Sequence, residues 1–162
     1  QPASIDLTLA DDVKRFSAVT CENFDPTYDD FDPDGCEDCE IHLGDAWLHE
    51  DPEIEPGEFL LATTKEIVDI PLDLCAQVSG KSSWMRKGLQ VCNDAGWCDP
   101  GFTGQITLEL KNMSPVPIKL EAGMPICQLV FMKMLRPPVL GYGHPKLGSH
   151  YQDQRGTTES VF

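Results

Sequence analysis

Basic residues are scarce in this chain of 162 residues: 12 Lys and Arg stand against 27 Asp and Glu, a formal net charge of −15. The excess is local, because Gln1 to Glu58 carries 18 acids and two bases whereas Phe59 to Phe162 carries nine acids and ten bases. Such a field repels nucleic acid, and no basic stripe offsets it, so there is no case for a nucleic-acid partner. Long apolar runs are missing too. Nothing approaches a membrane span or a signal peptide, and the expectation is a cytoplasmic protein with no membrane partner. Seven cysteines, an odd number, then read as free thiols in a reducing compartment.

Helical periodicity is nearly absent. What is present instead is a series of short β-rich runs punctuated by 13 glycines and 13 prolines. The runs predicted as strands are Phe59 to Thr63, Glu66 to Ile70, Cys75 to Val78, Leu89 to Cys92, Gln105 to Lys111, Ile118 to Leu120 and Ile126 to Met132. Together they predict an all-β fold, a compact distorted barrel or double-sheet roll, in one domain over 1–162.

Two stretches stand outside that pattern. Cys21 to Asp51 is rich in Asp, Pro and Gly, and reads as an acidic surface insertion over about 21–55. Within it Cys36-x-x-Cys39-x-x-His42, with Cys21 upstream, has a spacing that can close a zinc site, and equally suits reduced thiols on an exposed loop. From Arg136 to Phe162 the chain is polar and rich in Pro and Gly, the composition of a mobile arm.

The densest chemistry lies between Gly80 and Leu110. Gly80-Lys81-Ser82-Ser83 offers consecutive backbone N–H groups, two hydroxyls and a cation, which suit a polyphosphate. It lacks the earlier glycine of a G-x-x-x-x-G-K-[ST] loop, and an ordinary turn is the other reading. Downstream, Ile106, Leu108 and Leu110 fall on one face of a strand and Gln105, Thr107 and Glu109 on the other. A carboxylate in mid-strand is either part of an exposed sheet face or a group kept for chemistry.

Taken together, these motifs resemble the dCTP deaminase and dUTPase superfamily over nearly the whole chain. Gln1-Pro-Ala-Ser-Ile-Asp-Leu7 resembles its first motif, Gly80 to Leu89 its second and Ala95 to Leu110 its third. Gly123 to Phe131 resembles its fourth and Gly148 to Gly156 its C-terminal motif. Glu109 and the Tyr-Gln-x-Gln-Arg-Gly ending are similar to the deaminase branch. Family members carry a helical segment before their Gln-Pro-Ala-Ser, so either that segment is absent here or the numbering begins inside a longer chain.

The resemblance implies a dUTPase-like barrel, a homotrimer with sites between subunits, and deamination of dCTP with release of ammonia. Glu109 would activate the water and protonate the leaving amine, with Arg86 beside it and Ser82 and Ala95 orienting water and base. Asp99 would meet the 3′-hydroxyl of deoxyribose. Phosphate contacts would fall to Lys81, Ser82, Ser83, Gln128, Tyr151, Gln154 and Arg155, with Mg²⁺ carried on the phosphates. His150 stands where lysine is usual, which makes that contact pH-dependent. Ala95-Gly96-Trp97 resembles enzymes that go on to dUMP and pyrophosphate, Gly96 leaving room for a second water. No catalytic zinc is implied, since H-x-E and P-C-x-x-C are both absent.

Some positions depart from the pattern: Lys81 replaces arginine, Trp84 and Met85 are bulkier than Leu-Ala, and Asp94 brings a negative charge near the site. The other readings are a dUTPase-type pyrophosphohydrolase, from which Glu109 separates the deaminase, and a nucleotide-binding regulatory protein without turnover. Because no motif lies in the acidic insertion, replacing Asp25 to Glu50 with a short linker is expected to spare folding.

Overall fold

The computed structural model describes residues 3–21, 39–92 and 95–161, with backbone alone at 17–21 and 39–42. Its first strand, β1 (Ser4–Cys21), is 18 residues long and is shared by three neighbours. It pairs with β2 (Cys39–Trp47) from Asp12 to Cys21, forming a long antiparallel ribbon. Register breaks between Leu7 and Thr8 and between Leu9 and Val13 bend it, as extra residues in a ladder do.

After the short β3 (Glu53–Ile54), β4 (Phe59–Thr64) pairs with β1 at Leu9 and from Val13 to Arg15. Next come β5 (Val68–Asp69) and β6 (Leu74–Gly80), then a single helical turn, α1 (Ser82–Met85), and β7 (Leu89–Val91). The chain continues through β8 (Trp97–Cys98), β9 (Thr103–Gly104), β10 (Thr107–Asn112), β11 (Ile118–Lys119) and β12 (Pro125–Lys133). The main sheet runs β7-β10-β4-β1-β12-β6-β8, and β2 hangs from β1. Two small ribbons, β11 with β3 and β5 with β9, complete an all-β curled half-barrel.

Period-two patterning decides which side chains go inside. Leu108 and Leu110 of β10 are fully buried while Thr107 and Glu109 are half-buried on the other face. Leu9, Leu60, Leu120 and Ile126 join them in one core. Each such side chain contributes about 1.5–3 kcal/mol by leaving water. Among the described residues no helix is long and apolar enough to cross a membrane.

The seven expected strands all occur, with ends shifted by a few residues. The insertion over 21–55 needs correcting at its C-terminal end. Cys39–Trp47 is a strand, and Leu48 and Ile54 are 1% and 0% exposed, so this end is part of the core. Pairing with β1, not local hydrophobicity, makes it a strand, which acidic composition concealed. Replacing Asp25 to Glu50 would therefore remove β2 and a core leucine. The proposed zinc ligands lie outside the description: Cys36 entirely, and Cys21, Cys39 and His42 as side chains. Asp94 lies outside it as well.

The arm from residue 136 has no regular structure yet is not free. Asp153 N–H donates to Thr103 O (2.8 Å) and Gln105 N–H to Gln154 O (3.1 Å), which ties it across the body.

Candidate functional site

Glu109 stands in the middle of β10, opposite Leu61 of β4, and faces a cleft of about 330 Å³. Among the described residues its carboxylate makes no hydrogen bond or ion pair. Its backbone carbonyl accepts from Cys92 N–H (2.9 Å), which leaves the side chain as the free part of the residue.

One wall of the cleft comes from Ala95, Trp97 and Asp99. The Trp97 indole N–H donates to Asp99 Oδ1 (3.1 Å), aiming that carboxylate. Gly101 follows with φ +92°, and a Cβ there would meet Tyr142 N at 3.0 Å, so glycine permits both the turn and the close approach of the arm. The arm forms the opposite wall with Tyr142, Tyr151 and Gln154. Tyr142 OH accepts from Tyr151 N–H (3.1 Å), and its ring meets Phe102 edge-on at 5.7 Å.

Two thiols nearby, Cys98 and Cys92, are held toward the protonated form. Burial pushes Cys98, which lines the cleft, up to about 11, with the charge of Asp99 adding to the effect. Burial likewise pushes Cys92 up to about 12.

Of the residues singled out from sequence, the structure brings Ala95, Trp97, Asp99, Glu109, Tyr151 and Gln154 into this one cleft. Lys81, Ser82, Ser83, Arg86, Gln128 and Arg155 do not line it. Lys81 Nζ pairs with Asp6 Oδ2 (2.7 Å), and Gln128 Oε1 accepts from Ser4 Oγ (2.8 Å). These sit together because β12 lies between β1 and β6, with Gln128 opposite both Asp6 and Ser79. Ser82, Ser83 and Arg86 are exposed at α1. Arg155 donates to the carbonyls of Asp153 (3.1 Å) and Gln154 (2.8 Å). His150 lines an adjoining hollow of about 440 Å³ that shares Asp99 and Tyr142 with the cleft.

Gly96 has a different role from the one expected. It does not line the cleft, and a Cβ on it would lie 2.7 Å from the carbonyl oxygen of Val78. Close backbone approach, sealed by Val78 N–H donating to Gly96 O (2.6 Å), is what requires glycine there.

Several lining residues escaped the sequence reading: Tyr142, Thr107, Thr158 and Glu159. The only available signal was Thr107, which shares a face with Glu109. Among the described residues no group of three or more His, Cys, Asp or Glu is placed to hold a metal ion.

The sequence profile of the family described as dCTP deaminase-like matches residues 1–134. A Methanobrevibacter smithii protein named dCTP deaminase, dUMP-forming, is 42% identical over 154 residues, 95% of this chain and 77% of that one. A Dictyoglomus turgidum protein of the same name is 44% identical over 160 residues, 99% of this chain and 79% of that one. The crystal structure of 2′-deoxycytidine 5′-triphosphate deaminase from Agrobacterium tumefaciens superposes with a TM-score of 0.59 at 25% identity. That likeness covers 81% of this chain and 39% of the solved one. The Glu109 carboxylate on β10, the Asp99 turn and the arm over them thus occur in a chain that belongs to the dCTP deaminase-like family.

Proposed function

We propose that this protein deaminates dCTP and carries the product on to dUMP, releasing ammonia and pyrophosphate. The observation that carries the reading is the Glu109 carboxylate, which has no hydrogen-bond or ion-pair partner among the described residues, held in mid-strand and facing a cleft of nucleoside size. The names of its relatives, dCTP deaminase, dUMP-forming, support the substrate and the product.

In the first step Glu109 takes a proton from water, and the resulting hydroxide attacks C4 of cytosine. Glu109 then returns the proton to the exocyclic nitrogen, the C–N bond breaks, and ammonia leaves. Asp99, oriented by Trp97, would accept from a sugar hydroxyl. Tyr151 and Gln154 close the cleft from the arm and help exclude water. A second water then cleaves the triphosphate between its α- and β-phosphates.

The groups suited to phosphate, Lys81, Ser82, Ser83 and Gln128, lie outside the cleft of their own chain, as does Arg86. This separation supports a homotrimer in which α1 of a neighbouring copy completes the site. Mg²⁺ would arrive on the triphosphate, and Asp99 is the cleft carboxylate suited to help hold it. There it would neutralise phosphate charge in a strongly acidic protein. The reading implies a cytoplasmic enzyme.

Incubation with dCTP, dUTP or dCMP plus Mg²⁺, with ammonia assayed and phosphorus NMR recorded, tests the reading. Ammonia and pyrophosphate appearing in step from dCTP are expected. Accumulating dUTP would refute the coupled hydrolysis, and hydrolysis of dUTP without ammonia from dCTP would make the protein a dUTPase-type enzyme.

A further inference from the structure

The end of the arm runs between two strands and keeps step with both. On one side Gly156 N–H donates to Gln105 Oε1 (2.8 Å), and Thr158 N–H to Thr107 Oγ1 (3.3 Å). On the other side Thr157 N–H donates to Asp12 Oδ2 (2.7 Å), and the Glu159 carboxylate pairs with Lys14 Nζ (3.0 Å). In these four contacts the N–H groups of Gly156 and Thr158 meet Gln105 and Thr107, while Thr157 N–H and the Glu159 carboxylate meet β1. Each advance of two along the arm is an advance of two along the strand it touches.

The matching has a simple origin. β1 and β10 both pair antiparallel with β4 and so run parallel to each other, which lets an arm that bends at Gly156 (φ +69°) reach successive same-face residues of both. Gln105, Thr107 and Glu109 are successive residues on one face. Two of them hold the arm at 156 and 158, and the next, Glu109, lines the cleft together with Ser160.

We propose that Gln105 and Thr107 are positioning residues for the reaction, setting the register at which the arm lies on the body and hence where Tyr151 and Gln154 stand over Glu109. The proposal rests on the reading of Glu109 as the catalytic carboxyl. Gln105 is suited to the task because its own amide is pinned, Nε2 donating to Thr64 O (2.8 Å), while its backbone exchanges bonds with Gln154. A slip of one residue would turn each of the four contacts toward the opposite strand, leaving Glu159 facing Thr107 and Lys14 without its arm partner. The arm therefore has one good register.

The test compares the parent with the double variant Gln105→Leu, Thr107→Val, which keeps side-chain size and removes both acceptors. Trypsin cleavage after Arg155, read without nucleotide, is expected to accelerate roughly 25-fold, about fivefold for each lost bond. KM for dCTP should rise by a similar factor while the thermal midpoint falls by only about 2–4 °C, the cost of the Gln105 bond to Thr64 O. Gln105→Glu, which keeps an acceptor for Gly156, should restore part of both. Lys14→Gln removes the opposite contact and should also speed cleavage, which keeps the proposal testable if the double variant folds poorly. Unchanged cleavage in both would overturn the clasp, and fast cleavage with unchanged KM would overturn its part in the reaction. A parent that leaves dCTP unaltered would instead overturn the functional reading, and the cleavage rates would still decide the clasp.

Discussion

Replacing Glu109 by glutamine is the sharpest test of the site. The amide preserves shape and removes the ability to take a proton from water. General acid–base catalysis of this kind contributes about 10²–10⁴ in rate, or about 2.7–5.4 kcal/mol of barrier. The fold should scarcely notice, since among the described residues the carboxylate makes no hydrogen bond or ion pair and the residue is half-buried on the open face of β10. A change within about 0.5 kcal/mol would move the thermal midpoint by only about 1–2 °C. Nucleotide affinity should hold or improve, because one negative charge leaves a cleft that already contains Asp99 and Glu159. The assay is ammonia release from dCTP at saturation, paired with calorimetric titration of the nucleotide. Turnover within tenfold of the parent, with binding intact, would refute the catalytic assignment.

Two further outcomes follow from burial. Leu48→Ala should cost about 3 kcal/mol and lower the midpoint by roughly 6–12 °C, because Leu48 is 1% exposed and its cavity is closed by the core; a shift under about 2 °C in a melting curve would show that the end of the ribbon is not structural. Cys98 is raised from 9.0 to about 11, so the folded state holds its proton more tightly than the unfolded chain and the stability this represents is complete below pH 9 and lost as pH rises toward 11. The midpoint should fall over that window and fall less in Cys98→Ala; parallel profiles for parent and variant would contradict it.

Much of the fold could be read along the chain because β10, β12 and their neighbours have partners whose burial alternates as their own sequence does. In β10 the alternation of Ile106, Leu108 and Leu110 with Thr107 and Glu109 is enough to assign strand, face and candidate carboxylate together. β1 was harder. It changes partners from β12 to β4 to β2 along its length, so Asp11, Asp12, Lys14 and Arg15 interrupt any single pattern even though Val13 among them is fully buried. β2 owes its conformation to β1 and was concealed by acidic composition.

The site divides in the same way. Its residue types and their spacing are properties of the sequence, and through their resemblance to the family's motifs they pointed to Glu109, Asp99, Tyr151 and Gln154, which the fold gathers into one cleft. Only the tertiary structure decided that Lys81 and Gln128 face Asp6 and Ser4 instead, that Gly96 yields to the backbone of Val78, and that Gln105 and Thr107 hold the arm. Local patterning records which face of a strand meets the core, because burial imposes a period on the chain itself. Which strand lies next to which, and so which side chains meet across a cleft, is set by pairings between residues far apart in sequence and leaves no period to read.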